Sequence, residues 1–312
     1  MTASTMRTRS LPIVRLSNMR SEHAGVIAAV ASSGLGGMAA AVTRFTVDAS
    51  DPVMLAVFRF GIGFLLLLPV ALVLRVQWPK GRDWLPVAAL GIMFYGVFFV
   101  VYGEALVYTT AARGSLAVST LPLLTMIVAA LLGREALSVR KSAGVLVAMG
   151  GVAFALGAGL DEAPPGAWHG DLIMLSGMLA MALYNVLSRP LMSRSSALGY
   201  AAAGMGFGAA CNCILAWHGG GFARLPSFGA AEWLAAFYLG AFAGGLGFYL
   251  WLYALQRTTP TRVANTITVS PIAAALLASV LVGEPIGASL VIGIAVVAAG
   301  IWIAGSGRGE RI

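Results

Sequence analysis

The chain has 312 residues, 59% of them hydrophobic and only 10% charged, with a mean hydropathy of +0.88. A soluble domain carries roughly 25% charged residues, so this composition excludes a water-soluble globule and describes an integral membrane protein. The net charge of +8 would suggest nucleic acid on a soluble chain, but here the basic residues follow membrane topology, and no nucleic-acid partner is expected.

Residues 1–24 hold Arg7, Arg9, Arg15 and Arg20 and no apolar core with a small-residue cleavage site. This stretch is expected to be a disordered cytoplasmic leader rather than a removable signal peptide. From Gly25 onward ten apolar runs follow, near 25–47, 53–75, 85–107, 112–132, 141–160, 171–190, 198–217, 233–255, 262–282 and 286–305. Each approaches the ~20 residues that a helix needs to cross a bilayer core. They are continuous apolar blocks rather than alternating segments, which argues against a transmembrane β-barrel. The expected fold class is all-α, with ten transmembrane helices and loops too short for a separate soluble domain.

Charge distribution orients these spans. With the N-terminus inside, the inner segments hold Arg7, Arg9, Arg15, Arg20, Arg75, Lys80, Arg82, Arg134, Arg140, Lys141, Arg189, Arg194, Arg257, Arg262, Arg308 and Arg311. The outer loops hold only Arg44, Arg113 and Arg224, while Arg59 lies inside a span. Such an excess on one side places both termini in the cytoplasm of a bacterial inner membrane.

The second half repeats the first at an offset of 149. Phe99 falls on Phe248, Thr109 on Thr258, Arg113 on Arg262, Pro122 on Pro271, Glu135 on Glu284, Gly144 on Gly293 and Gly151 on Gly300. Upstream, Gly25 with Gly170 and Arg44 with Arg189 fit an offset of 145, as a small loop-length difference would produce. The expected organisation is a first repeat at 25–160, an outer linker at 161–169, a second repeat at 170–305 and a cytoplasmic tail at 306–312. Five spans per unit is an odd number, so the second copy starts on the opposite face and the repeats are inverted.

Cys211 and Cys213 are two residues apart on one helix and point to different faces, and His23, His169 and His218 lie at span edges. No spacing suits a metal or a disulfide. No phosphate-binding glycine loop occurs, so neither a cofactor nor nucleotide hydrolysis is expected.

The stretch ALVYTTAARGSLAVSTLPLLTMIVAALLGREALSVRKSAGVLVAMGGV, ending at Val152, and its copy ALQRTTPTRVANTITVSPIAAALLASVLVGEPIGASLVIGIAVVAAGI from Ala254 carry a resemblance. An aromatic helix closes with Ala-Leu and Thr-Thr. A helix with a central proline, a Gly-x-Glu or Gly-Glu and a glycine-seamed helix follow. Together with GDLIMLSGMLAMALYNVLSRP and FRF, these resemble the EamA-type repeats of the drug/metabolite transporter superfamily. The first helix of each repeat reads SSGLGGM or MLAMALY, without the tryptophan often found there. The resemblance implies a ten-helix inverted-repeat carrier of small metabolites, frequently an exporter.

Residues at membrane depth suggest where a solute would bind. Tyr95, Phe99 and Tyr102 share a helix face, as do their repeat positions Gly244, Phe248 and Trp251. They are either cavity-framing or packing aromatics. Ser119, Tyr184, Asn185, Asn265 and Ser270 add hydrogen-bonding groups that either meet a substrate or join helices. Pro122 and Pro271 are candidate hinges, each freeing the carbonyl four residues earlier. Gly144 with Gly151, and Gly293 with Gly300, are read as packing seams. Arg59, roughly 9 Å into its span at 1.5 Å per residue, and Glu104 near the outer end of the third span form a candidate ion pair or coupling pair. Glu135 and Glu284 are read as ordering loops and helix starts.

The expected function is secondary transport of a small metabolite, an amino acid or related compound, exported by alternating access. Its partners would be that small-molecule substrate and the lipid bilayer. The alternative is a flippase for a lipid or lipid-linked sugar. An enzyme would need converging acid, base or metal groups at depth, which the chain does not supply.

Overall fold

The computed structural model describes residues 12–46, 52–108, 117–156, 166–273, 276 and 288–305. Ten principal helices occupy them, with short 3-10 segments at Gly81–Asp83 and Gly221–Ser227: α1 (Pro12–Thr46), α2 (52–73), α3 (84–108), α4 (Leu121–Leu131), α5 (Val139–Leu156), α6 (Ala167–Met192), α7 (Ala197–His218), α8 (230–257), α9 (260–273) and α10 (Ala288–Gly305). Among the described residues there are no strands. The architecture is that of ten helices in two five-helix repeats. One difference from the sequence reading is that α1 begins at Pro12, so the second half of the expected leader is helical. Proline suits a first helical position, and no glycine or proline interrupts the backbone before Gly25.

Local chemistry fixes several helix starts. Ser196 caps α7, its Oγ accepting from the Gly199 N–H at 2.9 Å. Thr259 caps α9 in the same way through the Arg262 N–H, with Pro260 supplying the preset φ of the first turn. At the start of α8 the Glu232 carboxylate turns back to accept from the Gly229 N–H at 2.9 Å.

The packing follows the duplication. α1 lies along α8 while α6 lies along α3; α2 packs on α8 while α7 packs on α3. Each contact therefore has its counterpart under exchange of the repeats. α5 and α10 form a close pair of their own. A Cβ on Gly144 would sit 2.5 Å from the Ala304 nitrogen, and one on Gly300 would sit 2.5 Å from the Ala148 nitrogen. Only glycine allows backbones this close.

Three helices widen into π-helical turns: Val57–Ile62 in α2, Ile92–Phe98 in α3 and Tyr238–Leu246 in α8. The last two overlap at the repeat offset. Such turns re-aim side chains and leave the α-helical ladder strained. Here they carry Arg59, Tyr95 and Gly244 into the centre of the bundle. Around them Phe60, Phe94, Tyr95, Phe98, Tyr184, Phe248 and Trp251 build the main core.

On the side read as cytoplasmic, Arg194 donates to Asp83 through Nε at 2.9 Å and Nη2 at 2.7 Å. This fastens the α6–α7 loop to the start of α3. The hydrogen bonds and charge of Asp83 hold the exposed Arg194 guanidinium above its usual range. Ser196 N–H to the Gln77 carbonyl, 2.9 Å, ties the same two loops.

Candidate functional site

The two prolines mark breaks at equivalent points. The regular part of α4 starts at Leu121, and Pro122 sits in its first turn. Just before it, the Thr120 N–H and Oγ1 both donate to the Ala117 carbonyl, at 3.0 and 2.6 Å. In α9 the α-helical turns Pro260–Asn265 tighten to a 3-10 turn at Thr266–Thr268 before Pro271. Thr268 Oγ1 there donates to the Asn265 carbonyl at 2.7 Å. Proline lacks the N–H that would bond the carbonyl four residues back, which explains why both helices break at this height.

The seam between α1 and the broken α9 is polar. Ser33 Oγ lies 3.0 Å from Thr266 Oγ1 and Ser270 Oγ donates to the Ser33 carbonyl at 2.8 Å, while Ser32 Oγ turns to α8 and donates to the Gly247 carbonyl at 2.7 Å. The backbones meet at Gly37, where a Cβ would lie 2.1 Å from the Ser270 carbonyl oxygen. Beside this seam Asn265 is 1% exposed, and among the described residues neither its Oδ1 nor its Nδ2 has a partner. Asn185 on α6 accepts from Trp251 Nε1 at 2.9 Å while its Nδ2 is unused. Thr125 Oγ1 on α4 is likewise buried and unpartnered. Most buried polar atoms are hydrogen-bonded, so unused capacity on α4, α6 and α9, helices that pack on one another, is an exception, shared among the described residues with Asn212 Oδ1 on α7, Thr258 Oγ1 and Arg59 Nε.

Next to these groups stands the aromatic cluster. Tyr95 and Tyr184 share a hydrogen bond of 2.8 Å, and Tyr184 stacks on Phe94 at 4.3 Å. Tyr200 completes the row through Ser188 Oγ at 2.6 Å. Asn212 Nδ2 donates to the Tyr95 carbonyl at 2.8 Å, closing α7 against the widened turn of α3. Phe99 and Phe248, repeat equivalents, meet at 5.8 Å with Phe60 between them.

The structure thus gathers Tyr95, Phe99, Tyr184, Asn185, Phe248 and Trp251 into one cluster. Asn265 and Ser270 lie at the α1–α9 seam, Ser119 is buried in the turn before Pro122, and Tyr102 flanks Phe98 at 6.0 Å. Tyr95 is a wall rather than a free contact, because its hydroxyl is engaged. Sequence reading missed Ser33, Thr266, Thr125, Ser188, Tyr200 and Asn212. The Ser32–Ser33 pair in SSGLGGM and the threonine after Asn265 were signals that lone hydroxyls in apolar spans offer.

The expected pairing of Arg59 with Glu104 is absent. Glu104 is exposed, whereas the Arg59 guanidinium lies 4.7 Å over the Phe99 ring and 5.9 Å from that of Phe248. The widened turn aims Arg59 between α3 and α8, where flat rings receive a flat cation. Glu135 orders a helix start: its Oε1 accepts from the Thr261 N–H at 3.1 Å, and Lys141 Nζ sits 3.2 Å from Oε2. Arg262 pairs with Glu22 of α1. Arg113, Thr109, Thr110 and Glu284 lie outside the described residues. A cleft of about 310 Å³ opens among Arg134, Arg189, Val186 and Pro260, at the adjoining ends of α4, α6 and α9.

The sequence matches the EamA-like transporter family over residues 23–157 and again over 168–306. The chain belongs to the EamA-like transporter family. It is thereby a multi-pass membrane protein of the drug/metabolite transporter superfamily. An uncharacterised protein of Pseudomonas aeruginosa is 33% identical over 224 residues, covering 69% of this chain and 70% of that one. An uncharacterised transporter of Archaeoglobus fulgidus is 23% identical over 86% of this chain and 93% of its own. A probable terminal-alkyne amino-acid exporter of Streptantibioticus cattleyicolor is 26% identical over 68% and 69%. One crystal structure superposes with a TM-score of 0.75 at 23% identity, covering 90% of this chain and 96% of that one. At that identity the likeness speaks for the fold alone.

Proposed function

We propose that this EamA-family transporter exports a small polar metabolite, an amino acid or a related compound, by alternating access, and that it catalyses no chemical reaction. Asn265 carries this reading. A buried carboxamide with both atoms unpartnered costs folding free energy, about 1–3 kcal/mol for each unsatisfied group. It stands at a helix break, where transporters of this kind of symmetry place substrate. Asn185 Nδ2 and Thr125 Oγ1 add a donor and a hydroxyl on neighbouring helices, and Phe99, Phe248 and Trp251 supply apolar walls. The amino-acid exporter among the relatives supports the solute class. With no nucleotide motif, the driving force is a gradient of solute or protons.

Alternating access would be served by the paired breaks before Pro122 and Pro271, each a point where a half-helix can pivot. The basic residues named above favour the inner membrane with both termini cytoplasmic. A reporter fused after Ile312 should then be active only in its cytoplasmic form, and a cysteine at Lys80 should resist impermeant reagents in intact cells.

The decisive test is uptake of labelled amino acids into proteoliposomes. Wild type should accumulate at least one, and Asn265→Ala should not, at equal reconstituted abundance. Equal uptake by both proteins would remove Asn265 from the site. Movement of fluorescent lipid with no movement of solutes would replace the exporter by a flippase.

A further inference from the structure

Arg59 is the only charged residue of the span Val53–Val73. A guanidinium does not shed its proton in proteins, so inside a membrane it needs a counter-anion, water or an aromatic face. Here it has the aromatic faces of Phe99 and Phe248 and, among the described residues, no acid paired with it. The titratable groups that bear on it are two phenols, Tyr102 of α3 and Tyr238 of α8. The described ion pairs, Lys141 with Glu135, Arg194 with Asp83 and Arg262 with Glu22, all lie elsewhere. Glu104, the carboxylate of α3, is exposed and forms no ion pair with it.

The position is also built. A Cβ at Gly244 would sit 2.0 Å from the Arg59 carbonyl oxygen, so α8 keeps a glycine where α2 presses in. This contact joins the widened turn Val57–Ile62 to Tyr238–Leu246. The backbone cannot withdraw, and the side chain is held between α3 and α8. Its Nε is buried and has no partner, while the residue as a whole stays part-exposed. Among the described residues no hydrogen bond or ion pair engages its terminal nitrogens, which leaves the guanidinium edge to an anion.

We infer that Arg59 is the seat of a carboxylate, or an oxyanion of like shape, carried by the transported solute. The inference rests on the transporter reading and adds the solute's charge to it. A guanidinium edge binds a carboxylate through two parallel hydrogen bonds. Rings that exclude water strengthen that attraction by lowering the local dielectric. The bound anion supplies the charge that the protein withholds, and the apolar part of the solute lies on Phe99, Phe248 and Tyr102. At the upstream repeat offset, the counterpart of Arg59 is Gly204. The duplicated scaffold therefore provides one such seat rather than two.

The test uses the full chain in detergent, with benzoate and L-phenylalanine as carboxylate probes and benzamide and L-phenylalaninamide as their uncharged-carboxyl controls. At least one carboxylate should raise the melting temperature where its amide does not. The apparent affinity should fall tenfold or more in Arg59→Gln and be partly kept in Arg59→Lys. A second measurement needs no variant. The same carboxylate, and not its amide, should slow phenylglyoxal modification of Arg59 in wild type, read by peptide mass spectrometry. Equal stabilisation of wild type and Arg59→Gln, no protection of Arg59, or protection by phosphatidylglycerol alone would overturn the inference. Transport that depends on Asn265 without carboxylate protection at Arg59 would refute the anion seat and leave the transporter standing. Protection at Arg59 with no solute moved would do the reverse.

Discussion

The two broken helices share a proline and a position but differ in what surrounds the break. On the first-repeat side, Leu121 of α4 and Met178 of α6 are buried in the apolar core. On the second-repeat side, their equivalents are Ser270 of α9 and Ser33 of α1, which hydrogen-bond to each other through Ser270 Oγ and the Ser33 carbonyl. Leu116 and Ala117 are replaced by Asn265 and Thr266 at the same offset. The duplication supplies a symmetric frame, and polar substitutions in one copy make a site of it. A carrier needs both, because the frame permits the exchange of access while the asymmetry gives the solute something to bind.

The comparison breaks most sharply at Asn265. Converting it to the leucine of the other copy, Asn265→Leu, should cut transport about tenfold or more, since a lost buried hydrogen-bond partner is worth about 1–3 kcal/mol. It should also raise the melting temperature, because an unsatisfied buried amide is removed. Lower stability together with lost transport would mean that Asn265 is structural.

Backbone contacts come next. Gly37→Ala and Gly300→Ala each force a methyl into backbone atoms, and overpacking typically costs about 1–3 kcal/mol. Gly37→Ala, at the α1–α9 seam, should slow transport per folded molecule. Gly300→Ala, in the α5–α10 pair, should lower stability and leave that rate intact. Thermal unfolding alongside proteoliposome flux separates the two.

A smaller effect is expected at Glu135. Glu135→Ala leaves the first turn of α9 without its acceptor and should cost about 1 kcal/mol, as helix-cap deletions do. Glu135→Gln keeps an oxygen for the Thr261 N–H and should cost less. A larger loss in the glutamine variant would show that charge pairing with Lys141 dominates.

The smallest effect belongs to Asp83→Asn. Its partner Arg194 is exposed, so the shift in melting temperature should be below those above and should vanish at high salt. The raised pKa of Arg194 means that its contribution persists below the ordinary guanidinium range and fades only as pH climbs through the raised value. No alkaline loss from this pair should appear near neutral pH.

Much of this was legible in the chain. The ten spans, the duplication and the glycine seam at Gly144 and Gly300 follow from patterns that obey local rules, namely length, period and small residues at close contacts. Asn265, Asn185 and the two prolines stood out because polar groups and helix breakers are expensive in apolar spans. Tyr95 was legible as an inward aromatic but not as a residue whose hydroxyl Tyr184 engages, since that bond joins positions 89 apart in sequence. The pairing of Arg59 with Glu104 was a reading from depth alone. Depth does not say which way a widened helical turn aims a side chain.

The membrane setting, the helix count, the inverted repeat and the family can be read from the order of residues alone, because burial in lipid imposes continuous apolar helices and duplication leaves a constant offset. Which buried polar atoms find partners depends on how the helices pack in space. That packing ties Ser33 to Thr266 and Ser270, Trp251 to Asn185 and Glu135 to the start of α9, and among the described residues it leaves both side-chain polar atoms of Asn265 and the Nε of Arg59 without a hydrogen bond. Hydrogen bonding is a matter of ångströms between distant segments, so a one-dimensional pattern can name the polar groups but not the ones left over for a solute.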